Sequence, residues 1–210
     1  MIMDDRQPAP SASRGTTTDD ARTTERRSYL ERAMCCVFAG VSLDGCIARA
    51  DGSIDWLDAM NAGVPPGEDL GFGEFMQSID VIVMGRVTFE TVLRFDEWPY
   101  GAKPIVVLSR TWNRLSDAAP ITVSLSDETP RALVERLSAQ GVRRIYVDGG
   151  ATIRSFLADG LIDEMTITTL SILIGEGRRL FGATQSDVHF EHVSTHVRCG
   201  FVQTTWRRSS

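Results

Sequence analysis

The sequence is short of the features that mark several functional classes. No apolar run reaches the roughly 18–20 residues that span a bilayer. Acidic residues outnumber basic ones, 28 to 22, for a formal net charge of −6, so a nucleic-acid partner, which needs a basic face, is not expected. The four cysteines, Cys35, Cys36, Cys46 and Cys199, form no Cys-x-x-Cys, and no histidine stands where it would complete a familiar zinc spacing. His189, His192 and His196 have helical metal-site spacing, but their segment alternates as a strand does, and no metal site is expected. There is no Gly-x-Gly-x-x-Gly after the first apolar strand, so the ordinary dinucleotide fingerprint is missing. The His-x-Glu and Pro-Cys-x-x-Cys of a zinc deaminase are missing too, and no internal repeat is found.

What is present fits one globular domain. The 210 residues, 42% hydrophobic and 24% charged, suffice for a sizeable core. Reduced, partly buried thiols in a cytoplasmic protein are the simple reading of the cysteines. Residues 1–32 are rich in Thr, Ser, Arg and Asp and poor in large apolar side chains. Such a segment cannot bury enough surface to offset ordering and is expected to be a disordered tail ahead of a domain over 33–210. It has no apolar stretch of signal-peptide type. Met34 opens the first apolar run, and translation from there is an expectation.

Strand and helix patterns then alternate. Strands are expected at 35–41, 81–84, 104–108, 121–125, 145–147 and 165–173, and helices at 54–60, 68–78, 87–93, 130–139 and 151–158. SLDGCIARADGSIDW reads as a turn-rich loop, Gly175-Glu176-Gly177 as a turn, and 188–197 with 201–206 as a terminal hairpin. Strands separated by helices imply an α/β fold with a mainly parallel sheet, here with a C-terminal antiparallel hairpin.

Three strand ends share one grammar. In RIYVDGGATIRSFL, Gly149 and Gly150 stand where a strand becomes a helix. Glycine permits either a tight turn or close approach of a ligand, and a helix N-terminus favours an anion. In VIVMGRVTFETV, Gly85 and Arg86 precede Thr88 at a helix start, and PIVVLSRTW ends a strand in Leu108, Ser109 and Arg110. Each alone is equally well a turn or a surface cation. Together, at the carboxyl ends of strands where α/β sheets bind ligands, they point to a ligand with several phosphates, such as NADPH.

The ordered set VSLDGCIA, IDWL, VIVMGRVTFE, EWPY, IVVLSRTW, IYVDGGATIRSFL, LIDEMTITTL and ILIGEGRRLF resembles the dihydrofolate reductase superfamily. It is most similar to the bacterial branch that includes the C-terminal reductase domain of riboflavin biosynthesis. The resemblance spans about residues 34–207 and implies a three-layer dihydrofolate-reductase-like fold with NADPH as cofactor. By its implication Ala39, Ile47 and Ala48 border the nicotinamide. Gly85, Arg86 and Thr88 hold the pyrophosphate and adenosine side, and Leu108, Ser109 and Arg110 flank the 2′-phosphate. Gly149, Gly150, Ala151 and Thr152 supply backbone donors to the pyrophosphate, so a side chain at Gly150 is expected to intrude there and strain a positive φ.

On the substrate side the resemblance singles out Asp44 in the SLDG loop, Asp69 near a carboxylate that folate enzymes use to protonate the pterin, and Thr168, which would support that carboxylate. Asp44 is equally a turn aspartate, and Thr168 a strand threonine. The flanks of Asp69, GEDLGFGEF, depart from the folate pattern and turn the expectation away from dihydrofolate itself. Trp56 and Trp98 are candidate walls for an aromatic substrate, with a structural role favoured for Trp98. The implied activity is hydride transfer from NADPH to a C=N or C=O bond of a pterin-, pyrimidine- or related heterocyclic small molecule. Two alternatives stand beside it: the 5-amino-6-(5-phosphoribosylamino)uracil reductase step of riboflavin synthesis, and a non-catalytic NADPH-binding sensor. A homodimer is compatible with this reading, and no membrane partner is expected.

Overall fold

The structure, a computed structural model, describes residues 32–184 and 186–209. The tail expected over 1–32 falls almost wholly outside the described residues. From Ala33 onward the chain forms one compact unit. Its elements are β1 (Met34–Val41), β2 (Cys46–Arg49), α1 (Asp55–Asn61), α2 (Phe72–Gln77), β3 (Val81–Gly85), α3 (Arg86–Val92), β4 (Ile105–Leu108), β5 (Val123–Ser126), α4 (Pro130–Ala139), β6 (Arg144–Asp148), α5 (Gly150–Ala158), β7 (Ile162–Thr169), β8 (Gly177–Arg179), β9 (Phe190–Arg198) and β10 (Phe201–Arg208).

Eight strands form one sheet in the order β5-β4-β3-β6-β1-β7-β10-β9. The six from β5 to β7 are parallel. β10 runs antiparallel between β7 and β9. The inner parallel strands β1, β3, β4 and β6 are near-continuous apolar runs because helices and loops cover both faces. Along β6, Ile145 and Val147 enter one core with Leu133, Val134, Leu137, Ile153, Phe156 and Leu157 of α4 and α5. Tyr146 enters the other, with Phe89 and Val92 of α3 and the half-buried Phe72, Phe75 and Met76 of α2. Each large apolar side chain so buried contributes roughly 1.5–3 kcal/mol relative to leaving it in water.

α4 shows how local sequence sets an element. Thr129 accepts from the Ala132 amide at 3.3 Å, Pro130 occupies the first helical position, and Gly141, at φ +88°, follows the end. The cap, the preset φ of proline and the left-handed stop coincide with one apolar stripe.

Several expected boundaries move. The turn-rich loop contains β2, which pairs with β8 as a separate antiparallel ladder; hence Gly177 opens a strand rather than completing a turn. The long strand runs Ile162–Thr169, three residues earlier than expected, because β1 pairs with it from Cys35↔Ile162 onward. The helix expected over 68–78 shortens to Phe72–Gln77, since Leu70 and Gly71 take positive φ.

The parallel register brings strand ends onto one rim. Gly85 lies opposite Leu108, Leu108 opposite Ser126, and Met84 opposite Asp148.

Candidate functional site

At this rim the β3–α3 and β6–α5 junctions interlock. Gly149 has φ +87° and ψ +132°, a conformation that L side chains rarely adopt. A Cβ at Gly149 would lie 2.0 Å from Thr88 Oγ1, and one at Gly85 would lie 2.9 Å from Thr152 Oγ1. Each glycine thus receives the threonine of the other junction, and both first serve close packing. Two expectations change here. The positive φ belongs to Gly149, not Gly150, where a side chain would instead meet Ile47 Cγ2 and Arg154 Nη1, each at 3.1 Å. The Gly149 amide is not a free donor either: it donates to Asp148 Oδ1 at 2.7 Å.

What remains is a candidate anion seat one residue further on. α5 has no side-chain cap, and its first intrahelical bond runs from the Ile153 amide to the Gly149 carbonyl at 2.9 Å. The amides of Gly150, Ala151 and Thr152 precede that bond and find no acceptor among the described residues. Such orphan donors with a favourable helix field suit a phosphate.

The two candidate cations differ in their commitments. Arg86 Nη1 donates to both Glu90 carboxylate oxygens at 2.9 Å, and its guanidinium sits 5.8 Å from the Trp112 ring centroid. Arg110 is exposed at the end of β4 and makes no ion pair among the described residues. Beside it, Ser109 Oγ accepts from the Trp112 amide at 3.0 Å and the Thr111 amide at 3.3 Å and lies 3.4 Å from Thr111 Oγ1, which fixes the hydroxyl oxygen. Ala39 and Ala48 are buried in β1 and β2, and Ile47 stands against Gly150, so the 46–49 ladder abuts the anion seat.

The expected acids hold loops rather than protons. The Asp44 carboxylate accepts from Ser42 Oγ at 2.6 Å, the Gly175 amide at 2.8 Å and the Ile174 amide at 3.3 Å. These bonds, the serine's foremost, lower its pKa. Exposed Asp69 accepts from the amides of Gly73 at 2.7 Å and Gly71 at 2.8 Å, and these likewise lower its pKa. A group that delivers a proton near neutral pH is favoured by the opposite shift; here the bonds favour the ionised carboxylates. Thr168 is buried and accepts from Gln203 Nε2 at 2.9 Å; the same amide group donates to the Leu70 carbonyl at 2.9 Å. It therefore supports the turn that carries Asp69, not its carboxylate.

Trp56 is 2% exposed in a satellite core with Leu170 and Phe201, so it offers a substrate no wall. Trp98 Nε1 donates to the Gly101 carbonyl at 3.2 Å, a structural role.

One acid at the rim escaped the sequence reading. Asp148 ends β6 half-buried, Oδ1 on the Gly149 amide and Oδ2 on the Tyr100 hydroxyl at 2.8 Å. Burial pushes its pKa above the usual carboxylate range, against the lowering effect of the Tyr100 bond. The available signal was a lone carboxylate closing an apolar strand directly before Gly-Gly. On the same face of β6, Phe38, Phe72, Phe75 and Tyr146 form an aromatic cluster, with Phe38–Phe75 and Phe75–Tyr146 centroids 5.0 Å apart. By contrast, burial pushes the Cys36 thiol up to about 12, leaving it unreactive. Among the described residues no three His, Cys, Asp or Glu side chains gather to hold a metal, and no helix is long and apolar enough to cross a membrane.

Comparison with known proteins places this architecture. The family model described as the RibD C-terminal domain matches residues 34–203. The Bacillus subtilis (strain 168) protein YwjB is 35% identical over 148 residues, covering 69% of this chain and 80% of its own. The crystal structure of a Shewanella sp. PV-4 protein named for riboflavin biosynthesis is 39% identical, with a TM-score of 0.78, covering 84% of this chain and 99% of its own. More distantly, the 2,5-diamino-6-ribosylamino-4(3H)-pyrimidinone 5′-phosphate reductase of Methanothermobacter thermautotrophicus is 27% identical over 175 residues, covering 65% of this chain and 77% of its own.

Proposed function

This chain belongs to the RibD C-terminal domain family, and we propose that it is an NADPH-dependent reductase acting on a C=N or C=O bond of a pterin-, pyrimidine- or related heterocyclic substrate. The observation that carries the reading is the rim itself. One sheet edge holds an uncapped helix N-terminus at residues 150–152, a serine–arginine pair at Ser109 and Arg110, and a buried-side acid beside an aromatic floor.

The bound cofactor supplies the hydride; the chain binds, orients and manages protons. The amides of Gly150, Ala151 and Thr152 take the pyrophosphate, with Gly85, Thr88 and Gly149 keeping the two junctions close-packed beneath it. Ser109 and Arg110 take the 2′-phosphate, Arg offering a planar fork of donors that matches phosphate oxygens. Arg86, paired with Glu90 and with its guanidinium 5.8 Å from the Trp112 ring centroid, lines the adenosine side. Ala39, Ile47 and Ala48 border the nicotinamide, where small and apolar side chains exclude water. Phe38, Phe72, Phe75 and Tyr146 present ring faces and edges for a planar heterocycle. Asp148 holds the proton that a reduced nitrogen or oxygen must receive, and its upward-shifted pKa is the direction such an acid requires. Asp44, Asp69 and Thr168 keep the surrounding loops in place. The distant pyrimidinone phosphate reductase favours an aminopyrimidine within this substrate class.

Loss of NADPH absorbance in the presence of a panel of pterins and aminopyrimidines, with and without a ribosyl phosphate, tests the reading. Asp148→Asn should lower kcat about 10²–10⁴-fold, the usual worth of a general acid, while leaving the Kd for NADPH unchanged. Tight NADPH binding with no turnover of any panel member would favour the sensor over the enzyme.

A further inference from the structure

The structure assigns Tyr100 as the positioning residue for the Asp148 carboxyl: its hydroxyl fixes the plane of that carboxyl and sets the pH range over which it exchanges a proton. This rests on the reading of Asp148 as the proton-bearing group.

Tyr100 comes from the Glu97–Gly101 stretch that follows α3, 48 residues before Asp148 in the chain, and is 7% exposed. Its ring stands edge-on to Trp98, centroids 5.5 Å apart at 87°. Trp98 in turn stands edge-on to Phe89, 6.3 Å away at 82°. Phe89 is fully buried in α3, so the phenol rests on a rigid aromatic stack and cannot swing away without disturbing it.

The terminal torsion of an aspartate is broad and roughly two-fold, so one hydrogen bond leaves the carboxyl plane loosely set. Here two donors arrive on different oxygens from different elements, the Gly149 amide on Oδ1 and Tyr100 on Oδ2. Each carboxylate oxygen has two lone pairs, so these two bonds leave one on each uncommitted to them. The plane and the two remaining lone-pair directions are thereby fixed before a substrate arrives, which is the preorganisation that proton transfer rewards.

The same bond sets the proton affinity. Burial favours the protonated carboxyl, and a phenol donating to it favours the ionised form. Tyr100 holds the acid below the value burial alone would impose, so that it can release a proton and regain one. Tyr146 also bears on Asp148: its hydroxyl donates to the Phe38 carbonyl at 3.0 Å, and its proximity lowers the carboxyl pKa in the same direction as Tyr100 but by less. On the neighbouring α3, Arg86 and Glu90 are paired with each other. Tyr100 is not itself the acid, because burial and the adjacent carboxylate push its own pKa far up.

The test uses the full chain saturated with NADP⁺, with ¹³C NMR titration of the Asp148 carboxyl. Tyr100→Phe keeps the ring in its stack and removes only the hydroxyl. The Asp148 pKa should rise by about 1–2 units, the worth of one hydrogen bond to a charged group. The basic limb of the kcat–pH profile should move up with it, while the Kd for NADPH stays at the wild-type value. 3-Fluorotyrosine placed at position 100, a stronger donor, should move the Asp148 pKa the opposite way and serves as the second arm should the phenylalanine variant not fold. A pKa that fails to rise in Tyr100→Phe, or fails to fall with fluorotyrosine, overturns the assignment. Because the titration needs no turnover, failure of the reductase reading shows separately, as shifted pKa values without activity on any substrate.

Discussion

Gly149→Ala probes the interlock on which the rim is built. The structure gives the substitution two separable penalties. Alanine at φ +87° and ψ +132° occupies a strained backbone region, at a cost of about 1–3 kcal/mol. Its Cβ would also lie 2.0 Å from Thr88 Oγ1 and 3.1 Å from Thr88 Cβ, an overpacking that costs roughly 1–3 kcal/mol more. The reduced freedom of the unfolded chain offsets about 0.4–1 kcal/mol. The net loss is then roughly 1–5.6 kcal/mol, against a total stability of about 5–15 kcal/mol for a domain. Only the steric part involves Thr88. Urea unfolding of wild type, Gly149→Ala, Thr88→Ala and the double variant separates the two, because removing Oγ1 relieves the clash and leaves the backbone strain. The double variant should be more stable than the sum of the single losses, with a coupling of about 1–3 kcal/mol, the range for residues in direct contact. Strict additivity would refute the interlock and reduce Gly149 to an isolated turn residue.

Three further outcomes are expected. Arg110→Ala should weaken NADPH about 10- to 150-fold, the loss of a charge-assisted bond of about 1.5–3 kcal/mol, and leave NADH nearly untouched. Arg86→Ala, which removes a guanidinium already paired with Glu90, should change the preference for NADPH much less; calorimetric titration of both cofactors at one salt concentration decides, and a preference that survives only in Arg110→Ala reverses the assignment. Gly150→Val should lower NADPH affinity and also destabilise the fold, since its side chain meets Ile47 and Arg154; unchanged affinity in a folded variant would show that the α5 N-terminus is not the pyrophosphate seat. Stability should depend on pH in two opposite ways. The depressed pKa values of Asp44 and Asp69 contribute stability that is present above the ordinary carboxyl pKa and lost as pH falls through their folded values. The raised pKa of Asp148 means the folded state binds that proton more tightly, so its contribution is lost as pH rises from the ordinary value through the folded one. Urea midpoints across that range should therefore decline less on the alkaline side in Asp148→Asn than in wild type.

Sequence by itself determined the fold class and which strand ends share one rim. Apolar runs such as IYV and VIVM alternate with helical stripes, and that alternation forces parallel strands whose carboxyl ends share one edge. Once the edge is known, Gly85, Leu108, Ser109, Arg110, Gly149 and Gly150 come together without any knowledge of their contacts. Tertiary structure decided what each of them does there. Whether Gly149 makes room for a ligand or for a side chain depends on Thr88, which reaches it from another strand–helix junction. β2 was unreadable because its four residues, CIAR, are a strand only through pairing with β8. Above all, three aspartates that look alike in sequence separate by environment. Asp44 and Asp69 sit among backbone amides that stabilise their charge, while Asp148 is withdrawn from water beneath a tyrosine 48 residues away in the chain. A pKa is set by desolvation and by the donors in reach, and both are properties of the packed chain rather than of any local stretch of it.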